Sequence, residues 1–472
     1  MNPWLKRIYD LTPPGVQNAL VSAFSAHLGK QRYGGRYREF CALLEEAQHW
    51  DAARMGAWQD ERLRTVIRHA YEHVPYYREL FDHHGIDPAK FAGREHLARI
   101  PVLTRETVKR RIEELKSRRP QDLAPGHGHT SGTTGSPLSV FYSPDAVTMN
   151  YAVMDRVYRL AHSRLGGDAS NPGERVAVVR GNVIVPLSKN RPPFWRHNRH
   201  MNQLLMSSFH LSPDNLPSYF DALRDFKPQV LDGYPSSLYV LAKTLLNRNE
   251  RLPLKAAITS SETLYDFQRE AIELAFQCRV FDYYAAAERV VFSAECDHHQ
   301  GHHLCEEYGI TEILDEDDRV LAPGHEGTLV GTSLHNVGMP MIRYRTTDRT
   351  AIKANLCTCG RTLPLMEDVT TKAEDLLRLK DGRLIPPSVL THPFKPLDCI
   401  DASQIVQTDL DRLVIRLIPR AEYTQKHADQ LVRDLKARVG DDMRIDIELV
   451  EELPRTARGK FKWVISEVDL GL

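Results

Sequence analysis

The sequence predicts an α/β protein built in more than one unit, with a large mixed N-terminal part followed by a small α+β part. Three observations carry that expectation. At 472 residues the chain exceeds the roughly 250–300 residues at which one hydrophobic core stops growing. Through its middle, helical periodicity and short β-rich runs alternate, the pattern of α/β layering. Near its end, two alternating runs bracket one helical stripe.

From Asp60 onward, Leu63, Val66, Ile67 and Ala70 recur at i, i+3, i+4 and i+7, which predicts an amphipathic helix. His73, Val74, Pro75 and Tyr76 end it. Arg175–Arg180 (RVAVVR) and Thr328–Thr332 (TLVGT) read as strands. Arg412–Ile418 (RLVIRLI) alternates, and Ala428, Leu431, Val432, Leu435 and Val439 then follow a helical stripe that stops at Gly440. Arg444–Val450 (RIDIELV) alternates again. This β-α-β unit is expected to be a domain of its own, with its border in the polar stretch Glu367–Gly382. We therefore expect a large domain over 1–370, with 1–58 as a helical extension, and a small domain over 371–472.

Composition excludes several classes. Hydrophobic residues at 42% and charged residues at 26% are ordinary globular usage. Lys plus Arg is 62 and Asp plus Glu is 62, so no basic excess exists to capture a nucleic acid. No run of 18 apolar residues is present, which argues against a membrane span, and the opening MNPWLKRIYDLTPPG lacks the apolar stretch of a signal peptide. Seven scattered cysteines do not form a disulfide framework. A cytoplasmic protein is expected.

Several segments carry chemistry. His129–Pro137 (HTSGTTGSP) suits neither a helix nor a packed strand, but it supplies backbone N–H groups and hydroxyls to a phosphate chain. The lysine of the GxxxxGK[ST] loop is missing. Taken alone, such a run is also what a polar surface turn looks like. Glu288 alone reads as an exposed glutamate at a helix start, and Asp348 as the carboxylate closing a strand over Ile342–Asp348. Lys460, in a basic glycine-containing loop, would by itself be a solvated surface lysine. Cys296 and His303 lie in the stretch CDHHQGHHLC, and Cys357 and Cys359 form a Cys-x-Cys turn further on. Together they make a Cys₃His set suited to structural zinc, with His298, His302 and Cys305 competing for the fourth place.

Thr130–Pro137 resembles the phosphate-binding loop of the adenylate-forming superfamily. Asp232–Ser236 (DGYPS), Ser260–Leu264 (SSETL), Asp282–Glu288 (DYYAAAE), Tyr344–Asp348 (YRTTD) and Arg458–Lys460 (RGK) follow in the family's order. His73–Tyr77 (HVPYY), Pro101–Thr104 (PVLT) and Cys357–Pro364 (CTCGRTLP) resemble the phenylacetate–coenzyme A ligase branch and its capsule-associated relatives, some of which carry similar Cys/His sets. The resemblance runs from about residue 58 to the C-terminus and implies a large N-terminal adenylate-forming domain with a mobile C-terminal one.

It also implies roles. Thr130, Ser131, Gly132, Thr133, Thr134 and Gly135 would hold phosphates. Ser260, Ser261, Glu262 and Tyr284 would border adenine, and Asp348 would accept both ribose hydroxyls. Glu288 would hold Mg²⁺, and Lys460 would bridge the acid's carboxylate and the α-phosphate. Ala285 and Ala287 depart from the family word. So does the hinge, where Thr371, Lys372, Ala373 and Glu374 stand for Gly-Arg-x-Asp. The implied activity is ATP- and Mg²⁺-dependent activation of a carboxylic acid, usually aromatic, then transfer to coenzyme A. A carrier-protein thiol, an amine or a sugar is an alternative acceptor. A rival of another class is a zinc-braced, non-catalytic scaffold descended from a ligase. No segment identifies the acid, and residues 1–58 could serve a homodimer.

Overall fold

The computed structural model describes residues 8–129, 138–166, 173–369, 376–385, 387–394, 396–397, 399–453 and 463–468. Its centre is a nine-stranded sheet of order β14-β10-β9-β8-β7-β6-β3-β5-β4. The strands are β3 (Val176–Arg180), β4 (Trp195–Asn198), β5 (Gln203–Ser207), β6 (Val230–Gly233), β7 (Ala256–Ser260), β8 (Arg279–Ala285), β9 (Phe292–Glu295), β10 (His302–Leu304) and β14 (Leu365–Met366). Before them, β1 (His127–His129) and β2 (Ser139–Phe141) form an antiparallel hairpin.

The middle of the sheet, β5-β3-β6-β7-β8, is parallel, and its flanks are antiparallel. Parallel pairing needs crossovers. The helices Leu216–Phe226, Pro235–Asn247 and Asp266–Phe276 supply them, and with both faces covered the β3 run Val176–Val179 is apolar without alternation.

The predicted stripe is realised in a longer helix. Leu63, Val66, Ile67 and Ala70 are all fully buried in Ala52–His73. That helix starts eight residues before Asp60 because Asp51 caps it, accepting from the Arg54 N–H at 2.7 Å. It stops where Pro75 forces Val74 into an extended conformation.

A second, antiparallel sheet joins β11 (Gly309–Leu314), β12 (Gly327–Ser333) and β13 (Tyr344–Thr350). The chain then forms a short hairpin, β15 (Leu377–Arg378) and β16 (Leu384–Ile385). The last sheet is β19-β18-β17-β20, from β17 (Ile400–Asp409), β18 (Arg412–Pro419), β19 (Arg444–Leu449) and β20 (Val464–Ser466). Here β18, the helix Gln425–Val439 and parallel β19 form the β-α-β unit. Gly440 ends the helix at φ 113°, where a Cβ would meet the Asp442 carboxylate at 2.6 Å.

The core of this C-terminal sheet also takes in Phe209, Val183, Leu187 and Tyr234, from the segments that follow β5, β3 and β6. Arg383 adds a hydrogen bond to the Phe209 carbonyl at 3.0 Å. Among the described residues no helix is long and apolar enough to cross a membrane.

Candidate active site

In open parallel sheets, ligands bind beyond the carboxyl ends of the strands, where the strand order reverses. Here the reversal is at β3, since the chain passes to β5 on one side and returns to β6 on the other. Arg180 ends β3 at that point. Its guanidinium donates to Asp232 Oδ1 at 2.8 and 2.5 Å, to Ser260 Oγ at 2.9 Å and to the Tyr283 hydroxyl at 3.2 Å. Tyr158 donates to Asp232 Oδ2 at 2.8 Å. One arginine thus fixes the ends of β3, β6, β7 and β8 together. The sequence reading did not single it out, although an arginine closing an apolar strand next to Gly181 was a usable signal.

The segment after β7 turns sharply, with Ser261 at φ 72°, a left-handed conformation that serine adopts at a cost of about 1–3 kcal/mol. Glu262 accepts from the Ser236 N–H at 3.2 Å, joining this loop to Asp232–Ser236. Tyr283 and Tyr284 alternate across β8. Tyr283 faces Arg180, whereas the Tyr284 hydroxyl donates to Asp348 Oδ2 at 2.6 Å.

Asp348 lies within β13 rather than at its end. The ladder pairs Thr328 with Arg349 and Val330 with Arg345, so Thr346, Thr347 and Asp348 oppose Leu329 alone. Such a bulge re-aims side chains beside active sites, and Asp348 is turned inward to 5% exposure. A cleft open to solvent is lined by Ser260–Leu264, Tyr284, Arg269, Asp282, His302 and Asp368 among others.

The reading of Glu288 taken alone, as an exposed glutamate at a helix start, is corrected. The residue neither starts a helix nor is exposed, but sits at 8% exposure in a turn between β8 and β9. The turn is tethered to the β1–β2 hairpin by Tyr142, which donates to the Ala287 carbonyl at 2.8 Å. Burial lifts the Tyr344 hydroxyl well above its ordinary pKa, with Glu288 beside it and Arg105 opposing. Thr130, Ser131, Gly132, Thr133, Thr134 and Gly135 lie outside the described residues, as do Lys372, Glu374 and Lys460.

Under the cleft lies a buried charge network. Arg269 forks onto Glu295 at 2.8 and 2.9 Å. Thr259 donates to Asp282 Oδ1 at 2.5 Å, and His302 Nε2 stands 3.8 Å from Asp282 and 3.4 Å from Asp368. Burial pushes the Asp282 carboxyl up to about 7, against the pull of His302. Although burial opposes it, His299, His302 and Arg269 hold Glu295 down to about 2. Asp282 therefore keeps a proton that the unfolded chain releases above pH 3.8, so stability falls as pH rises from about 4 to about 7 and then levels. Burial opposes charge on His302 as well, but Asp368, Glu295 and Asp282 raise it above 6.5, so its contribution is lost in the same direction, beginning near pH 6.5 and continuing past the level that Asp282 alone would reach. Glu295, held down from 4.5, acts the other way at the low end of this window, adding stability as pH rises through about 4.5, and is constant only above about pH 5.5. We expect Asp282→Asn to flatten the pH dependence by on the order of 2–4 kcal/mol, read from denaturant midpoints at either end.

On the far side of β10 the Cys/His residues converge. One ligand atom each from Cys296, His303, Cys357 and Cys359 lies within 4.8 Å of the others. Zinc bonds of about 2.3 Å to sulfur and 2.0–2.1 Å to nitrogen require tetrahedral edges of about 3.8 and 3.5 Å. The separations are 3.7 Å for Cys296 Sγ to Cys357 Sγ, 3.3 Å for His303 Nε2 to Cys296 Sγ and 3.5 Å to Cys359 Sγ. Burial pushes the Cys296 thiol up to about 12 and His303 down to about 4. His303 is thus neutral, as a metal ligand would need to be, and Cys296 is a thiol that a bound divalent cation would have to deprotonate. The competitors face elsewhere. His298 is exposed and meets Thr358 at 2.7 Å, His302 faces the cleft, and Cys305 lies 3.6 Å from Arg156.

Comparison with known proteins bears on relatives and fold. Residues 377–467 match the CapK C-terminal domain. The chain is 25% identical over 470 residues to Protein CapK of Staphylococcus aureus, covering 98% of this chain and all of that one. It is 26% identical over 463 residues to a phenylacetate–coenzyme A ligase of Thermus thermophilus, covering 87% and 96%. Among solved structures, a 2-hydroxyisobutyryl–coenzyme A ligase with 2-HIB-AMP and coenzyme A in the thioesterification state aligns with a TM-score of 0.56 at 19% identity, over 89% of this chain and 91% of that one. Its open conformation aligns at 0.52, over 89% and 93%. At that identity the likeness establishes fold.

Proposed function

We propose that this chain, which has the adenylate-forming fold and is a relative of CapK and of phenylacetate–coenzyme A ligases, activates a carboxylic acid with ATP. The observation that carries the reading is the hydrogen bond between Tyr284 and Asp348 beside the Ser260–Leu264 cleft. A tyrosine and a carboxylate distant in sequence meet where a nucleoside needs a ring face and an acceptor for its ribose hydroxyls.

In the first half-reaction a carboxylate oxygen attacks the α-phosphorus, the bond to the bridging oxygen breaks, and pyrophosphate leaves. In the second, a thiolate sulfur attacks the acyl carbon and AMP leaves. Thr130–Gly135 receive the phosphates, and Lys460 stands by the reacting oxygens after the small domain, hinged near Lys372 and Glu374, swings over. Glu288 holds Mg²⁺, whose charge offsets that of the phosphates. Ser236, with a buried hydroxyl that has no partner among the described residues, contributes a polar contact on the acid's side. Coenzyme A is the acceptor and an aromatic acid the substrate, by similarity to the ligases. A carrier-protein thiol, an amine or a sugar is the second reading of the acceptor, favoured by the full-length match to CapK.

ATP–pyrophosphate exchange over a panel of acids, followed by thioester assay with coenzyme A, tests the proposal. Exchange without thioester leaves adenylation standing and rejects the ligase. A folded chain that ignores ATP and AMP rejects both in favour of a scaffold. Asp348→Asn is expected to raise the KM for ATP roughly 10- to 100-fold by weakening a charged hydrogen bond, with a smaller effect on kcat.

Cys296, His303, Cys357 and Cys359 hold zinc in a closed set that performs no chemistry and braces the β9–β10 hairpin against the Cys357–Cys359 turn. Elemental analysis is expected to find one zinc per chain, and Cys357→Ser to lose it together with several degrees of Tm.

A further inference from the structure

The end of the parallel sheet on the acid's side is walled by polar groups. Below that end, β3, β5, β6 and β7 put Val179, Met206, Leu231 and Ile258 into the core, none more than 1% exposed. At or next to their carboxyl ends stand Arg180, Ser207, Asp232 and Ser260. Arg180 and Asp232 are an ion pair with side-chain exposures of 17% and 8%. Two further partners of the arginine, Ser260 and Tyr283, line the open cleft, so the pair lies at its edge. Strand ends at a reversal of strand order are where a ligand is received, and a polar wall there selects the ligand.

Bracing the strands does not use this wall up. A guanidinium has five N–H groups. In Arg180, Nε and one Nη2 N–H go to Asp232, the other Nη2 N–H to Tyr283 and one Nη1 N–H to Ser260. One Nη1 N–H is left without a partner among the described residues. Ser236, in the first turn of the helix that follows β6, is 2% exposed, and its hydroxyl also has no partner among the described residues.

An unsubstituted ring or alkyl chain laid on this wall would strip water from both groups and return no hydrogen bond. A hydroxyl both donates and accepts, so it suits either. An ammonium accepts nothing, and the guanidinium needs an acceptor. A second carboxylate would accept, but Asp232 already matches the arginine's charge, and burying a further charge without its own partner is costly. We propose that the acid activated here carries a neutral hydroxyl on its acyl part, received at the wall formed by Arg180, Asp232 and Ser236. The inference rests on the adenylation reading above and narrows its acid.

ATP–pyrophosphate exchange compares phenylacetate and hexanoate with the monohydroxy derivatives of each, with 4-(aminomethyl)phenylacetate and 6-aminohexanoate, and with 4-carboxyphenylacetate and adipate. The best hydroxy acid is expected to exceed its parent in kcat/KM by at least roughly 100-fold, because a site built to bond a hydroxyl rejects the analogue that lacks it. Arg180→Met/Asp232→Leu removes both charges and is expected to erase the preference, whereas Ser236→Ala is expected to lower it roughly 10-fold. A parent, amino or dicarboxylic acid that matches or outruns every hydroxy acid overturns the substrate class and leaves adenylation standing. A folded chain that exchanges with no acid overturns both. A double variant that melts like a folded chain and keeps the preference overturns the assignment to this wall. Should the double variant not fold, Ser236→Ala decides, and an unchanged ratio overturns the assignment.

Discussion

Lys460→Ala is expected to lower ATP–pyrophosphate exchange by roughly 10²–10³-fold, the usual loss when one group stabilising developing charge is removed. As the carboxylate oxygen closes on the α-phosphorus, two anionic groups approach, and one ammonium between them offsets the repulsion at that moment more than in the bound ground state. The loss is therefore expected in kcat, with AMP affinity by calorimetry nearly unchanged. Lys460→Arg is expected to recover little, because a planar guanidinium cannot reproduce a compact point charge. An alanine variant that exchanges pyrophosphate at the parent rate would remove the lysine from the reaction.

The second large effect is on stability. Arg156 Nη2 donates to Glu307 Oε1 at 2.8 Å and Nη1 to Oε2 at 3.3 Å, with side-chain exposures of 8% and 0%. Nη2 also donates to the Leu44 carbonyl. One guanidinium thus joins the helix Pro144–Leu160, the N-terminal helix Tyr37–Ala47 and the segment after β10. Arg156→Met strands a buried carboxylate and is expected to cost about 3–5 kcal/mol. The double variant Arg156→Met/Glu307→Leu, which removes both charges, is expected to regain most of that. Denaturant midpoints of the three chains decide whether the unpaired charge, rather than lost packing, carries the cost.

The C-terminal β-α-β unit was legible because alternation and a helical stripe follow one another without interruption from Arg412 to Val450. The partner strands β17 and β20 were not, since their pairing is set by contacts distant in sequence. Tyr284 and Asp348 were found through their motifs, and their mutual hydrogen bond depends on a bulge that no local pattern announces. Glu288 was misread alone because alanines before a glutamate look helical, whereas Tyr142 and the β8–β9 turn hold it inside. Arg180 went unnoticed because its importance lies in where four strands end. Among four histidines in CDHHQGHHLC, the choice of His303 is decided by the parity of a three-residue strand, which composition cannot express.

That parity couples two places that share no side chain. His302 and His303 are neighbours on β10, one looking into the Ser260–Leu264 cleft and the other into the cysteine cradle. β10 is hydrogen-bonded on both edges, His303 pairing with Ala294 and with Leu365. Deleting a single amino acid between Asp297 and Gly301 would bring His303 and Leu304 to the places of His302 and His303, and inserting one would bring Gly301 and His302 there, so either change spoils both places in one stroke.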